Sequence, residues 1–447
     1  MISMSDPNPA ATKAHDPYHV FRSGNFRAFL IANILKSAAQ QMQGVAIGWE
    51  VYDRTKSPMS LGTTGLVAAI PTIGLSLLAG HVADRFSRKW IVFFAWAITA
   101  ITSTMLAILS HYGDGSNAWL WAVYGTLFIN GTAMTFGRPA RQAIFPQIIP
   151  AEHFSNAVAW NSSANEVCSM IGPAIGALIM IYSLPMTYLV SAIATTFAVW
   201  QVARIQLINP PRPVSPDHRD HQPEGMWRSL TAGVRFVFNS KLLLAAMTMD
   251  MLGVLLGGVT YVLPMFASLL GVGKLGFGGL RAADAVGACV MALVLAHRPP
   301  LKRAGRTLIV AVVGFGAATI VFGLSRSYTL SFIMLAITGA CDNISVVIRH
   351  SLIQLLPPNS MRGRVSAVNM VFVGSSDQLG GVESGYAAAW LGPVWSVVAG
   401  GVGTIVVVIA SAFAWPQLWR LGPLLDVPRE ADPVDADEPP VTVANPV

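Results

Sequence analysis

Apolar runs of about twenty residues, separated by short polar loops, recur along almost the whole chain from Phe26 to Trp415. A hydrocarbon layer about 30 Å thick is crossed by roughly 20 residues of α-helix, so each run is long enough to span a bilayer. In lipid every backbone N–H and C=O must find its partner inside the protein, and successive runs of this length achieve that as helices. Charged residues make up 11% of the chain, against about a quarter in soluble domains. The expected fold class is therefore an all-α membrane protein.

Charge, Gly and Pro at the ends of the runs place twelve spans, near 27–52, 59–80, 90–110, 118–138, 156–182, 185–206, 241–270, 277–297, 307–325, 328–350, 365–390 and 393–415. They divide into an N-terminal six-helix half, 27–206, and a C-terminal half, 241–415. The connection 207–240 begins with NPPRPVSPDHRDHQPE at Asn209–Glu224, which is too rich in proline to continue a helix. It goes on with Trp227, Leu230, Val234 and Val237 at helical spacing beside Arg228 and Arg235. That pattern fits an interfacial amphipathic helix and, equally, an extension of span 7. Residues 1–26 form a polar N-terminal segment without the features of a cleaved signal peptide. Residues 416–447 carry Asp426, Glu430, Asp432, Asp435, Asp437 and Glu438 among many prolines, the composition of a disordered tail.

Orientation follows from the loop cations. With both termini cytoplasmic, the inner side holds Arg85, Arg88, Lys89, Arg138, Arg141, Arg298, Lys302, Arg303, Arg306, Arg349, Arg362 and Arg364, whereas the outer loops hold Arg54, Lys56, Lys274 and Arg326. The net charge of +7 is thus spread over loops rather than gathered in a nucleic-acid patch. Cys168, Cys289 and Cys341 all lie inside apolar runs, and neither a disulfide nor a metal site is expected. A shift of 208 residues superposes Arg141 on Arg349, Pro150 on Pro358, Ala159 on Ala367, Asn161 on Asn369 and Gly172 on Gly380, as two pseudo-symmetric halves would.

Between spans 2 and 3 lies G-x-x-x-D-R-x-x-R-K, made by Gly80, Asp84, Arg85, Arg88 and Lys89. Here the chain resembles the major facilitator superfamily. The resemblance covers nearly the whole membrane region and is nearest the transmembrane secretion effector, or enterobactin-exporter-like, branch. Its local marks are QMQGVAIGWEVYDRT at Gln41–Thr55, GHVADRFSRK at Gly80–Lys89, NAVAWNSS at Asn156–Ser163 and RGRVSAVN at Arg362–Asn369. The resemblance implies two six-helix bundles in a bacterial inner membrane, with Asp84, Arg85 and Arg88 latching the cytoplasmic ends of the halves against span 11. Ser87 stands where the family often has Gly. Gly172, Pro173 and Gly176 in span 5 resemble the family's antiporter motif, although Cys168 and Ala177 replace flanking glycines. Ordinary close packing of small residues explains them as well. The family's intramembrane Arg of span 4 has no match in Trp119–Gly137.

Asn33, Lys36, Gln40 and Gln43 share one face of span 1 and are candidates for lining the transport pathway, a structural polar seam being the alternative. Asp250, Asp377, Asp342 and Glu166 are the candidates for proton coupling or for contacting a cationic group, since a buried carboxylate without a partner takes up a proton, a structural role for any one of them being the alternative. By helix rise, Asp250 lies roughly 13 Å and Asp377 about 18 Å from the inner ends of their spans. Asp342 has Arg349 two turns inward and suits a cytoplasmic gate. Arg281 and Asp284, three apart, read as a structural ion pair. Glu50 and Glu383 are expected to be solvated near the outer ends, and Trp49 to anchor at the interface.

The function expected is secondary active export of a small organic molecule, a siderophore, drug or amphipathic metabolite, exchanged for protons by a monomer without a cofactor. Import of a small solute is the alternative, and a transport-inactive sensor or scaffold a third. No Walker motif or catalytic constellation is present, so neither an ATP-driven pump nor an enzyme is expected. Alkaline phosphatase fused after Gly115 or Arg326 should be active, and after Pro223 or Val447 inactive; the reverse pattern inverts the orientation.

Overall fold

The computed structural model describes residues 18–149, 153–206, 226–299, 302–358 and 361–423. Among these there is no strand. The first half contributes α1 (Gly24–Thr55), α2 (Pro58–Arg85), α3 (Arg88–Tyr112), α4 (Asn117–Ile144), α5 (Phe154–Tyr182) and α6 (Leu184–Arg204). Next come α7 (Met226–Asn239), α8 (Lys241–Gly257), α9 (Leu263–Leu269), α10 (Gly273–Ala296), α11 (Ala304–Leu324), α12 (Tyr328–Leu355), α13 (Arg362–Leu391), α14 (Pro393–Ala414) and the short α15 (Pro416–Trp419). Residues 1–17, the proline-rich 209–224 and the tail from 424 lie outside the described set.

Eight helices, α2, α3, α5, α6, α10, α11, α12 and α14, are long and apolar enough to cross a membrane. The helices α1, α4 and α13 are of comparable length, 32, 28 and 30 residues, but polar side chains such as Lys36, Arg141 and Asn369 dilute their apolarity. With α8 and α9 as one interrupted crossing, the set makes twelve.

That interruption differs from the continuous span expected over 241–270. Gly257 and Gly258 stand together at the break, and Pro264 opens α9. A Cβ on Gly257 would lie 2.6 Å from the Phe315 ring, so the backbone fits there only without a side chain. Ser384 Oγ donates to the Gly258 carbonyl at 2.8 Å, satisfying an acceptor that the ended helix leaves open. The preceding α7 is a separate helix: its stretch Thr231–Asn239 meets α8 at 99°. It packs on the start of α13, where a Cβ at Gly233 would meet the Arg364 carbonyl at 3.0 Å.

Each half repeats one packing scheme. In the first half α1 lies against α5 and α6, α3 against α4 and α6, and α2 against α4; in the second, α8 lies against α13 and α14, α11 against α12 and α14, and α10 against α12. The halves meet along α2 with α13 and α5 with α10, a pseudo-twofold pair of contacts. Very close approach is possible because glycines remove the intervening side chains. A Cβ on Gly385 would lie 2.3 Å from the Gly62 Cα, and one on Gly278 2.1 Å from the Ala177 Cβ.

Both of these contacts lie toward the face opposite α7, here called the far face. There one hydrophobic cluster takes residues from both halves, among them Val45, Leu61 and Met180 with Leu263, Phe277 and Ala388. Trp49 belongs to this seal, its ring 5.6 Å from that of Phe277, so it bridges the halves rather than anchoring at the lipid interface. Lys274 adds a cation to the closing turn of α5, donating to the Met180 carbonyl at 2.9 Å. Toward the linker face the apolar core is double. Phe26, Trp96, Ile144 and Val202 belong to a cluster of the first half, and Leu243, Leu308, Leu352 and Val365 to one of the second.

Within the second half, α10 and α12 touch backbone to backbone. A Cβ on Gly339 would stand 1.9 Å from the Asp284 carbonyl oxygen, and one on Gly287 1.7 Å from that of Ala336. Gly339→Leu should lower the thermal midpoint in detergent, with an overpacking cost of about 1–3 kcal/mol. Gly74→Leu, where nothing lies within 4 Å, should leave it unchanged.

Candidate functional site

The midsection between the halves contains two cavities that share Arg281. One, of about 280 Å³, is lined by Glu166 and Ser169 of α5, Arg281 and Asp284 of α10, and Asp342 and Asn343 of α12. The other, of about 180 Å³, lies toward the far face and is more apolar, with Gly44, Gly48, Leu61, Pro264 and Phe277 in its wall. Three carboxylates from separate spans thus face one chamber, together with a guanidinium. Asp284 accepts from Thr338 Oγ1 at 3.5 Å, and Arg281 acts on it electrostatically from one turn away. Both belong to the chamber wall, which gives this i, i+3 pair access to a solute.

Asp250 is placed differently. It is buried and forms an ion pair with Arg349 of α12, and it also accepts from Ser345 Oγ at 3.2 Å. The premise that Asp250 lacks a partner therefore fails, and Arg349 is engaged across the helix pair by Asp250. Removing one member of such a pair strands the other charge, at about 3–5 kcal/mol. Glu50 is likewise not solvated: it is 3% exposed and bonds Arg54 at 2.9 Å. Arg54 in turn donates to the Ser110 carbonyl at 2.6 Å and to that of Gly113, pinning the end of α1 to the α3–α4 turn. Glu383 is half-buried beside Ser384, whose hydroxyl lies 3.4 Å away.

The polar face of α1 divides. Asn33 donates to Asn161 and Asn165 of α5 at 2.9 and 3.0 Å and accepts from Arg141 of α4 at 2.5 Å. Gln43 accepts from Ser103 of α3 at 3.1 Å. These two residues join helices within their half. Lys36 is 5% exposed and donates to Gln40 at 2.6 Å, while Gln40 itself is exposed. The seam extends through residues not singled out from sequence: Ser37 donates to Asn165 at 2.9 Å and Gln41 to Ser169 at 3.0 Å. Their signal was present as Asn161, Asn165 and Ser169 at four-residue steps on α5.

Gly172 and Gly176 lie at the same α1–α5 contact. A Cβ on Gly172 would be 2.7 Å from Gln41 and one on Gly176 2.8 Å from Met42, so both pack closely on α1, with Pro173 inside a continuous α5. In the loop motif, Lys89 donates to the Ala203 and Ile205 carbonyls at 2.8 and 2.7 Å, and Arg88 to that of Ala143 at 3.4 Å. These contacts stay within the first half; those of Lys89 satisfy the open end of α6 and that of Arg88 the end of α4. Arg85 is exposed and Gly80 has open space beside it. Asp84 and Asp377 lie on α2 and α13, but their side chains are outside the described set. Among the described residues no cluster of His, Cys, Asp and Glu could hold a metal ion.

Comparison with known proteins fits this arrangement. The chain is similar to the enterobactin exporter EntS of Escherichia coli O1:K1, with 25% identity over 397 residues, 88% of this chain and 92% of the relative. It is also similar to EntS of Citrobacter koseri, with 26% identity over 384 residues, 86% and 89% of the two chains. Among solved structures, a D-xylose–proton symporter matches 92% of this chain and 100% of its own, with TM-score 0.68 and 13% identity. A bacterial homologue of the human lysosomal transporter Spinster matches 90% and 98%, with TM-score 0.66 and 16% identity. At these identities the structures speak for the fold alone. The profile described as transmembrane secretion effector matches residues 15–429. With twelve crossings in two related bundles around a charged midsection, the chain belongs to the transmembrane secretion effector family of major facilitator superfamily transporters.

Proposed function

We propose that the chain is a proton-coupled exporter of a small organic molecule, working by alternating access in a bacterial inner membrane with its linker face toward the cytoplasm. The observation that carries this reading is the uneven core: one shared seal at the far face, two separate cores at the linker face, and cavities in between. Among the described residues the core is shared by the halves on one side and divided between them on the other, which supports rocking of two bundles about a central site. With the linker face inward, this is the loading state of an exporter. The names of the EntS relatives support export, and a siderophore-like or other amphipathic cargo. Lys36 and Gln40 are proposed to line the path, and Asn33 and Gln43 to hold its wall. The loop residues Gly80, Asp84, Arg85, Arg88 and Lys89 would close the linker face in the opposite state.

Of the coupling candidates, Glu166 and Asp342 share the chamber with the Arg281 and Asp284 pair, and Asp377 remains one from its position on α13. Asp250 would couple by exchanging its bond to Arg349 for a proton. Import has no specific observation in its favour.

Everted vesicles with an imposed pH gradient, screened against labelled siderophores and amphipathic drugs, should accumulate the cargo without ATP and lose it with an uncoupler. Gly385→Leu should hold the far face apart, reducing accumulation at least about tenfold and exposing a cysteine placed at the buried Leu61 to an impermeant maleimide. Accumulation that requires ATP, or a Gly385→Leu variant that transports normally, would refute the mechanism.

Asp250→Asn should lower the thermal midpoint by stranding Arg349, and Asp250→Asn with Arg349→Gln should restore it. In the restored double variant pH-driven transport should stay lost; if transport returns with stability, the pair is only structural.

A further inference from the structure

The two halves carry the same arginine in corresponding places and treat its charge differently. Arg349, on α12, is ion-paired with Asp250 of α8, the first spanning helix of its half. Its counterpart Arg141, on α4, also reaches the first helix of its own half, but the group it meets there is the neutral Asn33, at 2.5 Å. The Asn33 amide nitrogen is occupied by Asn161 and Asn165. It therefore orients the guanidinium without neutralising it.

More positive charge stands beside it. Lys36 is one turn along α1 from Asn33, 5% exposed, and its ammonium has the neutral Gln40 as its hydrogen-bond partner. Arg141 and Arg138 both act electrostatically on that ammonium. Among the described residues, none of the carboxylates is ion-paired with any of the three. Lys36 is buried, Arg141 half-buried and Arg138 exposed; the like charges repel one another, and a buried ammonium without an anion is destabilised. An anion supplied from outside would relieve both penalties. Lys36, Gln40 and Gly44 follow one another at i, i+4 and i+8 on one helix face, and Gly44 lines the 180 Å³ cavity, so that face leads into the chamber between the halves.

We propose that Lys36, Arg141 and Arg138 form a binding site for an acidic oxygen group, such as a carboxylate, on the transported molecule. The inference rests on the transport reading and adds the charge class of the substrate. The guanidinium offers a planar fork of donors and the ammonium has donors beyond the one given to Gln40, a set matched to an oxyanion. In the second half the corresponding arginine, Arg349, is already paired to Asp250.

The test uses the purified full chain in phosphatidylcholine nanodiscs, with radiolabelled 1-naphthoate and its uncharged isostere 1-naphthamide as probes. The wild type should bind the carboxylate at least about tenfold more tightly. Lys36→Gln should remove most of that preference. Asn33→Asp, which gives Arg141 the carboxylate that Arg349 already has, should remove it too, with thermal midpoints showing that both variants fold. Equal binding of the two probes by wild type, or a preference that survives both variants, overturns the proposal. Loss of naphthoate binding when phosphatidylglycerol is added assigns the cations to a lipid headgroup and also overturns it. Vesicle transport of a neutral or cationic solute without anion preference would refute this inference alone. Anion binding without vesicle transport of any solute would instead refute the transport reading.

Discussion

The contact on which the rest of the molecule depends is the meeting of bare backbone between the halves, Gly62 with Gly385 and Gly278 with Ala177. Lipid tails are as apolar as leucine, so helices in a bilayer gain little from hiding oily side chains from their surroundings. Association has to come from close packing and internal polar bonds, and both are strongest where the helices can nearly touch. Because those points lie toward the far face, the shared core gathers there, while each half finishes its own core on the other side. The loop cation Lys89 likewise serves its own half, closing the open carbonyls of α6.

The fold was largely legible in the sequence because hydropathy reports which solvent a segment meets, and here the solvent is lipid. Most spans stand where the apolar runs place them. The break between α8 and α9 was not read, although Gly257, Gly258 and Pro264 mark it, because an apolar run hides an interruption that costs nothing in hydropathy. Partners were less legible. Asp250 and Arg349 are 99 residues apart in the chain and meet through the packing of α8 on α12, which no periodicity encodes. Glu50 and Trp49 were misread for the same reason. Nearness to a span end says how far a residue lies from water along the axis, but not whether Arg54 or Phe277 covers it.

The polar groups of α1 show how one stripe can serve two ends. Asn33 and Gln43 satisfy neighbouring helices, as buried amides must in the absence of water. Lys36 gives one hydrogen bond to Gln40 on a face that is otherwise small and open near Gly44. The same polarity that keeps α1 below the apolarity of its neighbours therefore joins it to α3, α4 and α5 and, in the proposed mechanism, lines the path.

The divided seventh crossing has a mechanical consequence. Torsion passes along a helix through its ladder of amide-to-carbonyl bonds, and that ladder is cut between Gly257 and Leu263. Twisting the short α9 segment, where Leu263 and Phe266 plug the top of the molecule, need not wind up the longer α8 below it, which carries Asp250. Plug and buried charge ride on separate levers within a single pass of the chain.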